Sequence, residues 1–340
     1  MSQKLNNYLT KAAFYAVLAG LVLFIVILSL TSQSFHPVFN FSSTGQIGDT
    51  IGGISAPFIG VSGAILTFLA FYMQFKANET HNTQFNDQSL EKEREKHENK
   101  ILYLIKQNRD IVDSMSIGDS VDGAKCFSRM FVEYQAAYEI VKSFYGNEIE
   151  NEEIINISFL IFYNGVGGAS DTINSDLLKT VSRLKELLVV FNVVASANGD
   201  TAQKRKAYLE TIEYNECALI KLKYTPFDGH NIRLGQYFRN LYHILSYTSD
   251  VKNELLSDRD KYEIIKSLRS QMSSYEQILI YFNSLSFYGV PLKENGFIKK
   301  YNLIKNIPIP LVAFAGDVHQ LAEGTVFEWD QIIERAAKYQ

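Results

Sequence analysis

Two long apolar runs lie near the start of the chain and dominate its hydrophobic pattern. Between Lys11 and Lys76 the one formally charged residue is Asp49. Within that stretch, residues 12–30 and 51–75 each reach the length of about 20 residues that a helix needs to cross the hydrocarbon core of a bilayer. Backbone polar groups find no water in the core, so each run is expected to be a helix. Residues 1–75 are therefore predicted to form a two-helix transmembrane hairpin.

A cleaved signal peptide is the alternative interpretation of the first run. The apolar region of a signal peptide spans roughly 7–15 residues and ends at a cleavage site of small residues. The run over 12–30 is longer, and Ser32-Gln33-Ser34 resembles such a site only loosely. A retained membrane helix is favoured.

The placement of lysine and arginine predicts the orientation of the hairpin. Lys4 and Lys11 precede the first run, the segment 31–50 contains neither residue type, and several basic residues follow Lys76. Basic residues accumulate on the cytoplasmic side of a membrane. Both termini are therefore predicted to be cytoplasmic, with the segment 31–50 outside.

A stripe of small residues runs along the second apolar run. Its members recur every fourth position, which places them on one face of a helix: Gly48, Gly52, Ala56, Gly60 and Ala64. Small residues let helix backbones approach closely in lipid. Packing within the hairpin is the favoured interpretation, and homo-oligomer formation through the transmembrane helices is the alternative.

The chain after the apolar runs shows helical spacing. Residues 76–100 are polar, carry interleaved charges and contain neither Gly nor Pro, which predicts an exposed helical stalk; a disordered linker is the alternative. Residues 101–340 are predicted to be a cytosolic all-helical bundle, so the fold class is all-α. Apolar periodicity and turn residues predict helices over 128–145, 151–164, 170–195, 201–224, 230–256, 258–288 and 326–339.

Composition and motifs give little support for cofactor or metal chemistry. The six histidines and two cysteines show no ligand spacing, and Cys126 and Cys217 are interpreted as reduced core residues. The glycine cluster at 165–168 lacks the Lys-Ser/Thr of a phosphate-binding loop and follows a predicted helix, so a helix–helix connection is expected. We predict neither a metal nor a cofactor. A net charge of −4 does not favour a strongly basic nucleic-acid surface.

One candidate for catalysis lies on the helix predicted over 230–256. Arg239 and His243 are four positions apart and share a face. An arginine for phosphate and a histidine for proton transfer would suit RNA cleavage without a metal. The pair resembles the Arg/His motif of HEPN-type ribonucleases, in which four to six residues usually separate the two. Here three residues intervene, so a structural pair is favoured over a catalytic one.

A second polar segment lies within the helix predicted over 258–288. Polar side chains in an apolar helix are costly to bury unless they pair. They are expected either to form a network between helices or to line a site, together with polar neighbours of Arg239. The candidates for this binding site or network are Tyr237, Asn240, Tyr242, Arg269, Gln271, Glu276 and Asn283.

Three stretches give the chain a resemblance to a known family. They are Gly48–Phe58, Tyr237–Leu245 and Leu268–Leu285, and in this order they resemble the AbiC-like phage abortive infection proteins. The resemblance implies a bacterial inner-membrane protein that halts phage production. It transfers no catalytic mechanism, so an interaction with an unknown phage or host component is favoured. The alternatives are a membrane-tethered HEPN-like ribonuclease acting on RNA and a membrane scaffold without a defence role.

Overall fold

The computed structural model describes residues 45–118, 121–197 and 224–338, with isolated positions between 8 and 29. Two compact units are present, Met1–Lys92 and Glu93–Gln340. The first predicted span (12–30) is described only at isolated positions. The segment 31–44, Cys217 and all but the last residue of the helix predicted over 201–224 lie outside the described residues.

Helices make up nearly all of the described regular structure, which confirms the predicted all-α class. Two short antiparallel strands pair Ile117 with Val121. The elements are α1 (Gly45–Asp113), β1 (Ser116–Ile117), β2 (Val121–Asp122), α2 (Lys125–Tyr145), α3 (Asn151–Asn164), α4 (Ala169–Leu177), α5 (Leu184–Ala197), α6 (Asn231–Asp250), α7 (Asp258–Ser270), α8 (Ser274–Ser284), α9 (Val290–Glu294), α10 (Phe297–Lys300), α11 (Ile309–Val312), α12 (Val318–Leu321) and α13 (Glu328–Ala336), with 3-10 turns at Phe287–Gly289 and Ala313–Ala315.

Helix α1 contains the second apolar run and the polar residues 76–100. Judged by length and composition alone, its part from Ser55 to Asp113 is the one helix among the described residues able to cross a membrane. Its most apolar window has a mean hydropathy of 1.7, and none of that window is buried. Large apolar side chains such as Phe58 and Phe68 are exposed. Residues 76–100 are helical throughout rather than disordered.

The core of the second unit is built around aromatic side chains of α2, α3 and α8. Helix α2 packs along α3, and α8 contacts both. Tyr134 is fully buried, with its ring centroid 4.3 Å from that of Phe282 and 5.8 Å from that of Phe162. Burial raises the pKa of its hydroxyl well above the ordinary value for tyrosine. The predicted apolar face of α2 is confirmed, since all its members are buried: Phe131, Tyr134, Tyr138 and Val141.

The glycine cluster after α3 connects two helices, as its sequence predicts. Gly165 and Gly229 have φ values of +82° and +89° and lie against each other's backbone. A Cβ on Gly165 would lie 2.7 Å from the carbonyl carbon of Asp228. Only glycine fits so close a backbone approach at positive φ. The backbone N–H of His230 donates to the carbonyl of Tyr163 at 2.9 Å, so this contact fixes the start of α6 against the end of α3.

Two segments that were each predicted to be one continuous helix are interrupted in the structure. The helix predicted over 170–195 is interrupted between α4 and α5, where Leu178 is buried and the Ser182 carbonyl accepts a hydrogen bond from the Tyr145 hydroxyl at 2.6 Å. The helix predicted over 258–288 is two helices. Ser273 caps α8 and forms a capping box with Glu276, which starts a new helix at Ser274.

Candidate functional site

A buried ionisable pair holds the segment that leads into α6. The side chains of Glu133 on α2 and His230 are 0% and 3% exposed, and Glu133 Oε2 lies 3.1 Å from His230 Nε2. The backbone N–H of Phe227 donates to the other carboxylate oxygen at 2.8 Å. Burial, followed by the nearby Glu133 carboxylate, raises the pKa of Tyr224. These contacts position the first turn of α6. The candidate residues lie further along the same helix.

Glu276 joins three helices through its carboxylate. It is fully buried and accepts a hydrogen bond from Arg109 of α1 at 3.1 Å and from the Tyr237 hydroxyl of α6 at 3.3 Å. It also completes the capping box with the backbone N–H of Ser273 at 3.0 Å. Burial, and then the charge of Glu276, raises the pKa of Tyr237 well above its ordinary value. Tyr237 and Glu276 thus belong to one buried network.

Other predicted polar residues connect elements in the same way. The Arg269 guanidinium donates to the carbonyls of Tyr301 and Asn302 at 2.8 and 3.0 Å. Asn240 donates to the Leu104 carbonyl at 3.2 Å. Gln271 is exposed, and its backbone carbonyl accepts from Arg109 at 2.9 Å. The contacts of Arg269 and Asn240 are those of residues that hold helices together.

Arg239 and His243 lie in one open groove between α1 and α6, here called the Arg-His groove. Both side chains are exposed. The groove measures about 540 Å³ and also contains Asn240, with Gln107 and Asp110 of α1 on the opposite wall. A guanidinium and an imidazole on adjacent turns can contact one phosphate group from solvent.

A smaller cavity lies on the other side of Arg239, here called the Asn283 cavity. It measures about 340 Å³ and is lined by residues of α3, α6, α8, the 3-10 turn at Phe287–Gly289 and α9. Arg239 lines both the Asn283 cavity and the Arg-His groove. Of these two sites, His243 lines the groove alone and Asn283 lines the cavity alone. The lining includes Tyr163, Gly235, Phe238, Arg239, Tyr242 and Asn283.

The structure thus divides the predicted residues between four places. Tyr237, Asn240, Arg269 and Glu276 form helix-connecting contacts, and Gln271 is at the surface. Arg239 and His243 share the groove, while Arg239, Tyr242 and Asn283 share the cavity. The small-residue stripe lies on α1, and a Cβ on Gly48, Gly52 or Gly60 would meet no described atom within 4 Å.

Several residues of these sites were not predicted. Glu133 and Arg109 come from distant parts of the chain, and no local pattern links them to α6. His230 directly precedes α6, but its partner Glu133 lies on α2. Tyr163 ends an apolar helix, where a tyrosine ordinarily belongs to the core. The available signal was Gly235, a glycine inside a helix, which indicates a close contact on that face.

The comparisons with known proteins agree with the resemblance in the sequence. No curated protein and no solved structure gives a significant match to the chain. A family model does match the segment that forms α6 to α11, which contains Arg239, His243 and Asn283. Residues 229–312 of this chain therefore match the family described as "Putative phage abortive infection protein", as the sequence predicts.

Proposed function

We propose that this chain is a bacterial anti-phage defence protein that is anchored in the inner membrane and acts through its helical unit from Glu93 onward. The observation that carries the proposal is the family match over residues 229–312. The matched segment includes residues of the Glu276 network, the Arg-His groove and the Asn283 cavity. An interaction with a phage or host component through this segment is the favoured mode of action.

Membrane anchoring is supported by α1. Its apolar part is long enough to span a bilayer and is exposed along its length, and exposed apolar surface of this extent is unusual in a protein surrounded by water. We propose that residues 51–75 span the membrane as the second helix of a hairpin. Residues 12–30 would be the first helix, with both termini in the cytoplasm.

Phage plating on bacteria that express the intact chain tests the defence function. We expect plating of sensitive phages to fall by at least about tenfold relative to cells with an empty vector. The matched control is the chain with Glu276→Ala. Removing this carboxylate breaks its buried hydrogen bonds with Arg109, Tyr237 and Ser273, so the fold and the protection should be lost together. Equal plating on cells with and without the intact, expressed chain, across phages of several types, would contradict the proposal.

A ribonuclease is the second candidate function, and the position of Arg239 and His243 in one open groove favours it. A histidine that transfers protons must reach solvent and substrate, and the exposed His243 meets that condition. Under this candidate His243→Ala expresses normally, fails to protect, and abolishes the RNA cleavage seen in infected cells that carry the intact chain. Full protection by His243→Ala would exclude it.

A further inference from the structure

The Asn283 cavity contains hydrogen-bonding groups that the protein leaves unused. The Asn283 side chain is 2% exposed, and its amide oxygen makes no hydrogen bond within the described part of the chain. A buried amide oxygen without a partner costs about 1–3 kcal/mol of desolvation. Native proteins keep few such groups, so a ligand that donates a hydrogen bond would satisfy this one.

Two further polar groups of the cavity lack partners among the residues that the structure describes. Neither the Arg239 guanidinium, on an exposed side chain, nor the Tyr163 hydroxyl forms a hydrogen bond with another described residue. Burial raises the pKa of the Tyr163 hydroxyl, and the nearby charge of Arg239 partly offsets that shift. Both groups lie beside Gly235, where a Cβ would be 2.8 Å from Tyr163 Oη and 3.3 Å from Arg239 Nη1. The glycine therefore keeps open the space into which a cation and a hydroxyl point.

The walls of the cavity are apolar and aromatic. The ring centroids of Tyr163 and Tyr288 lie 4.7 Å apart, and Phe238 and Leu292 are among the other apolar residues of the lining. A volume of about 340 Å³ lies at the lower end of the range of roughly 300–1,000 Å³ that small-molecule sites occupy. Aromatic walls suit a planar ring, an unpaired guanidinium suits an anion, and an asparagine amide can pair with the edge of a nucleobase.

We propose that the Asn283 cavity binds a nucleoside monophosphate, with Arg239 on the phosphate and Asn283 on the base. The site deepens the proposed defence function, because a bound nucleotide would make the family-matched segment responsive to a small molecule. This role rests on the proposed defence function, whereas nucleotide binding is measured on the purified chain without phage, so failure of the one is distinguishable from failure of the other.

Isothermal titration calorimetry on the purified full-length chain in lipid nanodiscs tests the site. The probes are AMP, GMP, CMP and UMP, and we expect at least one to bind saturably at one site per chain. The nucleoside and ribose 5-phosphate each carry one half of such a ligand. Each should bind at least about tenfold more weakly than the matching monophosphate, because each leaves one polar group of the site unpaired.

Variants separate the cavity from the groove. Arg239→Ala and Asn283→Leu should each weaken binding by at least about tenfold. Arg259→Ala removes an exposed arginine that lines neither site and should bind as the intact chain does. Melting curves verify that each variant is folded, which is expected since neither Arg239 nor Asn283 bonds through its side chain to described residues.

Three results would overturn the proposal. One is the absence of saturable binding for all four monophosphates. Another is binding that folded Arg239→Ala and Asn283→Leu retain in full. The last is binding that Arg259→Ala weakens as strongly as Arg239→Ala does, because general charge attraction would then explain the affinity.

Discussion

Asn283 and Glu276 are buried polar residues on the same helix with opposite hydrogen-bonding states. Glu276 accepts from Arg109, Tyr237 and Ser273, so its burial is compensated. The amide oxygen of Asn283 has no such partner in the described structure. Glu276 is therefore explained by the fold itself, whereas Asn283 lowers the stability of the protein without a ligand and needs a reason outside the fold.

Replacing Asn283 with leucine should stabilise the protein. Leucine has a similar size and removes the unpaired buried amide, so we expect the free energy of unfolding to rise by about 1 kcal/mol. The measurement is thermal or urea unfolding of the purified full-length chain without ligand. The matched control is Gln277→Leu, one turn and a half earlier on α8. Gln277 is buried with its amide oxygen bonded to the Asn306 N–H at 2.9 Å, so that change should destabilise the protein. A loss of stability in Asn283→Leu would show that Asn283 has a structural role.

At the scale of a single element, the boundary between α7 and α8 depends on one side chain, that of Ser273. Ser273 has extended backbone angles, and its hydroxyl accepts from the Glu276 N–H at 3.2 Å. Replacing Ser273 with alanine should lower the free energy of unfolding by about 1 kcal/mol, the usual cost of a lost N-cap. Ser274→Ala, at the next position, leaves the cap bond in place and should change stability by less than about 0.5 kcal/mol. Denaturant unfolding of the two variants side by side checks this, and equal effects would contradict the role of the cap.

The same boundary shows how far the sequence predicts the elements. The pattern Ser273-x-x-Glu276 is that of a capping box, which can be recognised in the sequence and marks the start of a helix. The apolar spacing on both sides of it nevertheless indicates one continuous helix. Helices with a single regular period, such as α3, were predicted with the observed bounds of Asn151–Asn164. The break between α4 and α5 was not predictable locally, because it depends on contacts of Leu178 and Ser182 with distant residues.

The candidate site was predictable to a smaller extent than the helices. Arg239 was predicted as a catalytic candidate, and Tyr242 and Asn283 as members of a binding site or polar network. Their meeting in one cavity depends on how α6 and α8 pack. Tyr163 and Gly235 also line that cavity. Tyr163 looks like an ordinary core residue of its helix, and Gly235 indicates a close contact without identifying the partner. Spacing within a helix identifies which residues share a face, while the pairing of faces between helices is set by the whole core.

At the scale of the whole molecule, the two compact units have different surfaces. The unit that ends at Lys92 exposes large apolar side chains along α1, including Phe58, Phe68 and Phe75. The unit that begins at Glu93 has a core rich in buried aromatic side chains, such as Tyr134 and Phe282, and holds the family-matched segment. An apolar exposed helix joined in sequence to a helical unit with its own core is the arrangement expected of a membrane-anchored protein.

The proposed topology predicts which positions of the chain are reachable from outside the cell. In a chain with Cys126→Ser and Cys217→Ser, single reporters are Ser42→Cys, between the two apolar runs, and Ser89→Cys, after the second. The absence of Lys and Arg from 31–50 and their abundance after Lys76 place the first reporter outside and the second inside. A membrane-impermeant maleimide should therefore label Ser42→Cys in intact spheroplasts, and Ser89→Cys only after lysis.

Labelling after lysis and extraction of the membrane fraction at alkaline pH are the controls. Both reporters should react in lysed cells, which shows that neither cysteine is shielded by the fold, and the chain should stay in the membrane pellet, as integral proteins do. Equal labelling of both positions in intact spheroplasts would mean that the apolar part of α1 does not separate them across a bilayer. Labelling of Ser89→Cys alone would invert the orientation and place the family-matched segment outside the cell, where it could not act on an infection in the cytoplasm.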